Sequence, residues 1–94
     1  MTNAVQHNSD AHQFELELEG GKKAFISYAE SGGVMDFTHT EVPSGFEGQG
    51  IGAKLVRGAL EIAQTNGNKV IPSCPYVGKF IERHDEFKGL VASR

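Results

Sequence analysis

The sequence has no tryptophan, a single cysteine and three prolines among 94 residues. One cysteine excludes an intramolecular disulfide framework and fits a reducing, cytoplasmic setting. Cys74 must then be core filler or chemistry. No apolar run approaches the ~20 residues that span a bilayer, so no membrane-spanning helix is expected. The opening MTNAVQHNSDAHQ lacks the basic region and apolar core of a secretory signal. Excess positive charge is missing too. A net charge of −3 and a pI near 5.7 argue against a nucleic-acid coat, which should be basic. With 38% hydrophobic and 22% charged residues, the length suits one soluble domain around one core. Residues 1–12, polar and aperiodic, read as a mobile tail before a domain over 13–94, and His7 and His12 within it carry little information.

What is present is organised by period. FELELE from Phe14 alternates apolar and charged residues, as a half-buried strand does. Gly20-Gly21 marks a hairpin turn, and KAFISYAE is a second strand with Phe25 or its neighbours toward the core. Ser31-Gly32-Gly33 turns again into VMDFTHTEV, so three strands form an antiparallel meander. From Gly50 the period becomes 3.6. Ile51, Leu55, Ala59 and Ile62 make one stripe, with Lys54, Arg57, Glu61 and Gln64 opposite. Asn66-Gly67-Asn68 stops that helix. KVIPS is a short buried strand, and a second helix starts at Pro75, with Val77, Phe80, Ile81 and His84 on its inner side. Strand 34–42, helix 50–66 and strand 69–73 should make a right-handed crossover with parallel strands. The fold class is therefore α+β, a mixed sheet with two main helices.

Parallel strands end at one edge, and ligands of open α/β sheets bind beyond that edge. The glycine-rich FEGQGIGA (46–53) and Cys74 should thus face one cleft. Gly48, Gly50 and Gly52 open a helix whose first N–H groups lack partners, a place for an anion such as phosphate. A P-loop is excluded, because Ala53-Lys54-Leu55 follows Gly52 where Lys-Ser/Thr is needed. The dinucleotide fingerprint is matched formally by Gly48, Gly50 and Ala53. VPSGFE, however, separates strand from glycines, and no acid ends the next strand.

The stretch VPSGFEGQGIG resembles the GNAT acetyltransferase superfamily, whose pyrophosphate loop reads [QR]-x-x-G-x-[GA]. HTEVPSGFEGQGIGAKLV and IPSCPYVGKFIERHDEF, within about Phe14 to Phe87, are similar to the small Yjdj-type bacterial acetyltransferase-like proteins. The resemblance implies a minimal GNAT-like mixed sheet, acetyl-CoA as cofactor and acetyl transfer to an amine. It places Glu47, Gly48, Gln49, Gly50, Ile51, Gly52 and Ala53 at the pyrophosphate, and a backbone N–H near Val42 at the thioester oxygen. Glu47 departs from the pattern. A carboxylate would repel the phosphates, so its side chain should turn outward or cap the helix, while Lys54 and Arg57 could compensate in charge.

Cys74, as N-cap before Pro75, has its thiol pKa lowered by the helix dipole. The resemblance sets it near the thioester, as nucleophile or as channel lining. His39 and Glu41, two apart in a strand, share a face as a candidate base and its orienter. Tyr76 is a candidate proton donor to the leaving thiolate, on the pattern of the superfamily. His84, Asp85 and Glu86 read as a helix-end cap or solvated face. A zinc site from His39, Glu41 and Cys74 lacks ligand-spacing support, so no metal is expected. The acceptor would be a small-molecule or peptide amine, with the chain a monomer or homodimer. The alternative is a non-catalytic CoA-binding module, since the longer N-terminal helical region of larger GNAT enzymes is missing.

Overall fold

The computed structural model describes residues 5–92. Its elements are β1 (Gln6–Asn8), β2 (Gln13–Glu17), β3 (Lys23–Ser31), β4 (Val34–Glu41), α1 (Ile51–Thr65), β5 (Lys69–Ile71) and α2 (Pro75–Arg83). A 3-10 helix, Asp85–Leu90, follows α2. The strands lie in sequence order in one sheet, antiparallel from β1 to β4 and parallel between β4 and β5. This is the expected α+β mixed sheet, with a strand added in front of the meander. No helix among the described residues is long and apolar enough to cross a membrane.

Alternation decides which side of the sheet is covered. Phe14 and Leu16, Ala24, Ile26 and Tyr28, and Met35 and Phe37 are buried on one face. Phe25 faces the other way, half-buried beside His39. The β3–β4 hairpin closes through Gly32 (φ 59) and Gly33 (φ 83), between the paired Ser31 and Val34. Positive φ at both central residues matches the twist of the strands, and glycine reaches it without strain.

Helix α1 lays Leu55, Val56, Ala59, Leu60 and Ala63 on that apolar face. It stops where Gly67 N–H donates to Gln64 O (3.2 Å) and Asn68 N–H to Ala63 O (2.9 Å), which satisfies its last carbonyls. Helix α2 adds Val77, Phe80 and Ile81, and the 3-10 helix adds Phe87 and Leu90. Each such fully buried side chain contributes about 1.5–3 kcal/mol over leaving it in water. His84 is the C-cap of α2 rather than part of its inner stripe; its Nδ1 lies 2.8 Å from Phe80 O and its ring stacks on Phe80 at 3.9 Å. Beyond it, Val91 bridges Val70 in parallel and Ala92 N–H donates to Val70 O at 2.8 Å.

The expectation of a mobile tail through residue 12 fails for residues 5–12; residues 1–4 lie outside those described. Gln6, His7 and Asn8 pair with Glu15, Phe14 and Gln13. The His7 ring stacks on Phe14 at 4.5 Å and its Nε2 is hydrogen-bonded to the Tyr28 hydroxyl. Val5 sits directly over Gly58 of α1, where an added Cβ would come within 2.6 Å of Val5 Cβ. A histidine ring does here what an apolar side chain does in the other strands, so hydrophobic patterning could not announce β1. Replacing His7 with Ala is expected to lower unfolding stability by about 1–2 kcal/mol, from a lost ring stack and hydrogen bond. Urea denaturation reads it as a lower midpoint at constant slope. An unchanged midpoint would mean that β1 carries no weight in the fold.

Candidate functional site

The site begins where two parallel strands stop pairing. β4 and β5 match at Val34↔Lys69, Met35↔Val70 and Asp36↔Ile71, after which β5 ends while β4 runs on to Glu41. Pro72 lies just outside the ladder, as a residue without an N–H must. The last link is Cys74 N–H to Phe37 O, 2.8 Å. Past it the two chains separate, one toward the glycine loop and the other into α2.

At the same level β4 carries a bulge. Tyr28 pairs with Phe37 and Ser27 with His39, so Thr38 has no partner residue on β3. Its hydroxyl donates to Ser27 O at 3.3 Å. One extra residue reverses which side chains face which way. Thr40, opposite buried Ile26, turns to the helix side, and its Oγ1 lies 3.5 Å from Cys74 Sγ. His39 and Glu41 share a face and are hydrogen-bonded to each other, Nε2 to Oε1, at 3.0 Å. That face is the exposed one, away from Cys74, with both side chains more than half open to solvent. The expected His39–Glu41 pair is thus formed, but it is Thr40 that meets the cysteine. Thr40 escaped the sequence reading because nothing in FTHTEV marks a bulge.

Cys74 is the N-cap of α2, with Pro75 at the first helical position, and is 8% exposed. Burial works against ionisation of its thiol. The Thr40 hydroxyl and the amides of Val77, Tyr76 and Thr40 outweigh that, holding the pKa below the ordinary thiol value. These amides point toward the sulfur without closing the cap bond that a serine or aspartate would make there.

The glycine loop supplies the other wall. Pro43 O accepts from Phe46 N–H (3.2 Å), and Gly48 and Gly50 have φ of 78 and 74. A Cβ at either would meet nothing within 4 Å, so their outer sides are open for close approach to the backbone. Gly50 is the N-cap of α1, no side chain caps the first turn, and no acid lies in it. The dipole and free N–H groups of that end face the cleft uncompensated. Gly52 has a different reason: a Cβ there would stand 2.8 Å from Cζ of Tyr76, whose ring lies across the helix start. The Glu47 side chain is exposed, as expected, and does not cap α1. Its Oε1 accepts from Gly45 N–H at 2.9 Å, while Gln49 Nε2 donates to Gly45 O at 3.3 Å. Both side chains brace the loop from within. A cleft of about 380 Å³ runs along it, lined by Thr40, Val42, Phe46, Gly48, Gly50 and Tyr76 among others.

Outside the cleft, Lys54 and Arg57 differ in how far they are free. Arg57 Nη1 is 3.2 Å from Glu86 Oε2, and its guanidinium lies over the rings of Phe80 and Phe87. The Lys54 side chain lines the surface between α1 and α2.

A parallel strand–helix–strand with a glycine-opened helix at its divergence is where comparison with known proteins bears most directly. The pattern of the GCN5-related N-acetyl-transferases matches residues 13–90. The chain belongs to this family. Protein NATD1 of Mus musculus is 30% identical over 82 residues, covering 85% of this chain and 74% of that protein. Protein NATD1 of Homo sapiens is likewise 30% identical over 82 residues, covering 85% and 73%. An NMR solution structure of a GCN5-like putative N-acetyltransferase from Staphylococcus aureus superposes with a TM-score of 0.72 at 26% identity, covering 100% of this chain and 93% of that one. GCN5-related domains are acetyl-CoA users as a class, and the chemistry of this cleft fits such a ligand. Open backbone at Gly48 and Gly50 suits an anion, and the polarised thiol stands at the strand opening.

A Thr40→Val variant removes the hydroxyl beside Cys74 Sγ. The pH midpoint for alkylation by iodoacetamide is expected to rise relative to wild type, with slower reaction at neutral pH. Thr40→Ser should restore the wild-type profile. Superimposable profiles for all three proteins would disconnect Thr40 from the thiol.

Proposed function

We propose that the chain transfers an acetyl group from acetyl-CoA to an amine. The observation that carries this reading is the continuity of one cleft, from the open backbone of Gly48 and Gly50 to Thr40, which touches Cys74 at the divergence of β4 and β5. Acetyl-CoA supplies the reactive thioester carbonyl and the diphosphate. The N–H groups of residues 48–53 hold the diphosphate by backbone alone, since the Glu47 carboxylate is bound to Gly45. The N–H of Val42, on a residue lining the cleft, serves the thioester oxygen as negative charge develops there.

Cys74 gives the transfer a two-step route. Its thiolate attacks the acetyl carbon, the carbon–sulfur bond of the thioester breaks, and the electron pair leaves on the CoA sulfur. Tyr76, at the same cleft, donates a proton to that sulfur. The amine then displaces Cys74 as thiolate and passes its own proton to the tyrosinate. In the direct route the amine attacks the thioester itself, and Cys74 only lines the channel. The His39–Glu41 pair can act as base on this second route alone, for an acceptor that reaches the strand opening from the exposed face.

A CoA-binding module without turnover is the second reading. It draws on one observation: among the described residues no helix covers the sheet face that presents Phe25 and His39, so no wall for an acceptor is built there.

Calorimetry with acetyl-CoA tests the shared premise. Gly50→Val places a β-branched side chain at φ 74 on the loop and is expected to weaken binding tenfold or more. Equal affinities would remove the loop from the site. Mass spectrometry after mixing with acetyl-CoA should show an acetyl adduct that Cys74→Ala abolishes together with transfer to an amine panel. Undiminished transfer by Cys74→Ala would leave the direct route, and binding without any transfer would leave the module.

A further inference from the structure

The sheet face away from the helices is open at Phe25 and His39, yet at its other end it holds a hollow of about 400 Å³. Strands β3, β4 and β5 pave it. Asp36 stands between its paired neighbours Ala29 and Ile71, with Val34 along the same strand, and Ala92 of the returning segment lines the hollow too. Asp36 projects to this side because Met35 and Phe37, before and after it, are buried on the helix side. Its Oδ1 is shielded from solvent and, among the described residues, has no hydrogen-bond partner. Lys69, at the start of β5, donates to Gly89 O at 3.0 Å instead, and no basic residue lines the hollow. A shielded carboxylate oxygen without a donor is costly and needs a reason. A cationic N–H donor from outside the chain supplies one.

The walls narrow down what carries that donor. Ala29, Val34, Ile71 and Ala92 surround the carboxylate with apolar surface, which suits a methylene chain ending in an ammonium. A peptide backbone, with a donor and an acceptor at each residue, would meet mostly apolar groups here. The hollow also shares its face with the strand opening. Asp36, His39 and Glu41 all project from β4 on this side, the bulge at Thr38 having returned His39 to it. Thr40, at the opening, is four residues on from Asp36, about 13 Å at the rise of a strand. A linear amine held by one end at Asp36 brings its other end to the opening if it has the length of a triamine. A four-carbon diamine falls short.

We propose that the Asp36 hollow anchors one ammonium group of a linear polyamine, whose far primary amine is the acetyl acceptor at the opening between β4 and β5. The inference rests on the acetyl-transfer reading and names the acceptor class which that reading leaves open. Transfer follows the direct route. The far nitrogen, uncharged, forms the bond to the acetyl carbon, the carbon–sulfur bond breaks, and CoA leaves with the electron pair and a proton from Tyr76. The nitrogen gives its own proton to the His39–Glu41 pair, on the face along which the amine is stretched. Asp36 binds and does not react: it selects for a second charge and for length.

Calorimetry with spermidine at low ionic strength, without CoA, reads the anchor alone. Asp36→Asn should weaken binding about tenfold, and so should Ala29→Leu, which keeps the carboxylate but fills the space beside it. Glu61→Gln, which removes the same charge from the exposed face of α1, should bind as wild type does. Acetyl transfer reads the rest. Wild-type kcat/KM for spermidine should exceed that for butylamine, which cannot fill both places at once, by about tenfold, mainly through KM. Putrescine, too short to span the two places, should do no better than butylamine. Equal kcat/KM for spermidine and butylamine overturns the anchor and leaves acetyl transfer standing. The same holds for a spermidine affinity that neither Asp36→Asn nor Ala29→Leu changes, or that Glu61→Gln lowers as much. A lysine-containing peptide accepted ahead of spermidine overturns the proposal in favour of a peptide acceptor. Anchored spermidine with no transfer to any amine overturns the acetyl-transfer reading, and with it the acceptor role of the hollow.

Discussion

The hydrogen bond from Cys74 N–H to Phe37 O joins β4 and β5 for the last time, and nearly every feature of the site is placed by it. On one side of that bond lies a parallel ladder three residues long. On the other, the strands open by necessity, because Pro72 has no N–H to continue the ladder and Pro75 commits the chain to a helix. The bond fixes the cysteine at the fork, with its thiol against the Thr40 hydroxyl. The bulge at Thr38 falls beside the same point. It turns Thr40 toward the thiol, which puts a hydroxyl and an amide on a sulfur that burial alone would keep protonated.

Three glycines that look like one motif serve two masters. Gly48 and Gly50 are needed for their backbone conformation and for the open space in front of them. Gly52 is needed because Tyr76 lies where its side chain would be. The loop and α2 are therefore locked to each other through an aromatic ring. Moving α2 would change the loop, and a larger residue at 52 would displace Tyr76 from its place in the cleft wall.

Much of this was legible in the sequence, for identifiable reasons. β2, β3 and β4 alternate cleanly, α1 has an apolar stripe and a glycine stop, and Pro75 announces both the start of α2 and Cys74 as its cap. Crossover topology alone led to the glycine loop and the cysteine at one edge of the sheet, although the cleft there is lined by Thr40, with Cys74 buried behind that hydroxyl. What could not be read is what depends on contacts between segments. β1 is held by a histidine stacked on Phe14, and QHN carries no apolar signal. Thr38, His39, Thr40 and Glu41 are polar in succession, so a change of face within them leaves no mark in the pattern. The shared face of His39 and Glu41 was legible, but not that the bulge turns it away from the cysteine and puts Thr40 there instead. Glu47 was recognised as out of place at an anion loop, but its resolution, a bond to Gly45, needed the turn at Pro43 to be seen.

The bridge from Val91 and Ala92 onto Val70 has a meaning for the molecule in a crowded solution. A sheet that ends in a strand as short as β5 offers its outer row of donors and acceptors to any passing extended chain. The segment after the 3-10 helix folds back and occupies part of that row. It thereby satisfies the strand from within the same chain, on the side where the sheet would otherwise recruit a stranger. Leu90, buried just before the bridge, anchors the returning segment in the core. Protection of that edge is in this sense a task of the last described residues, well apart from the glycine loop.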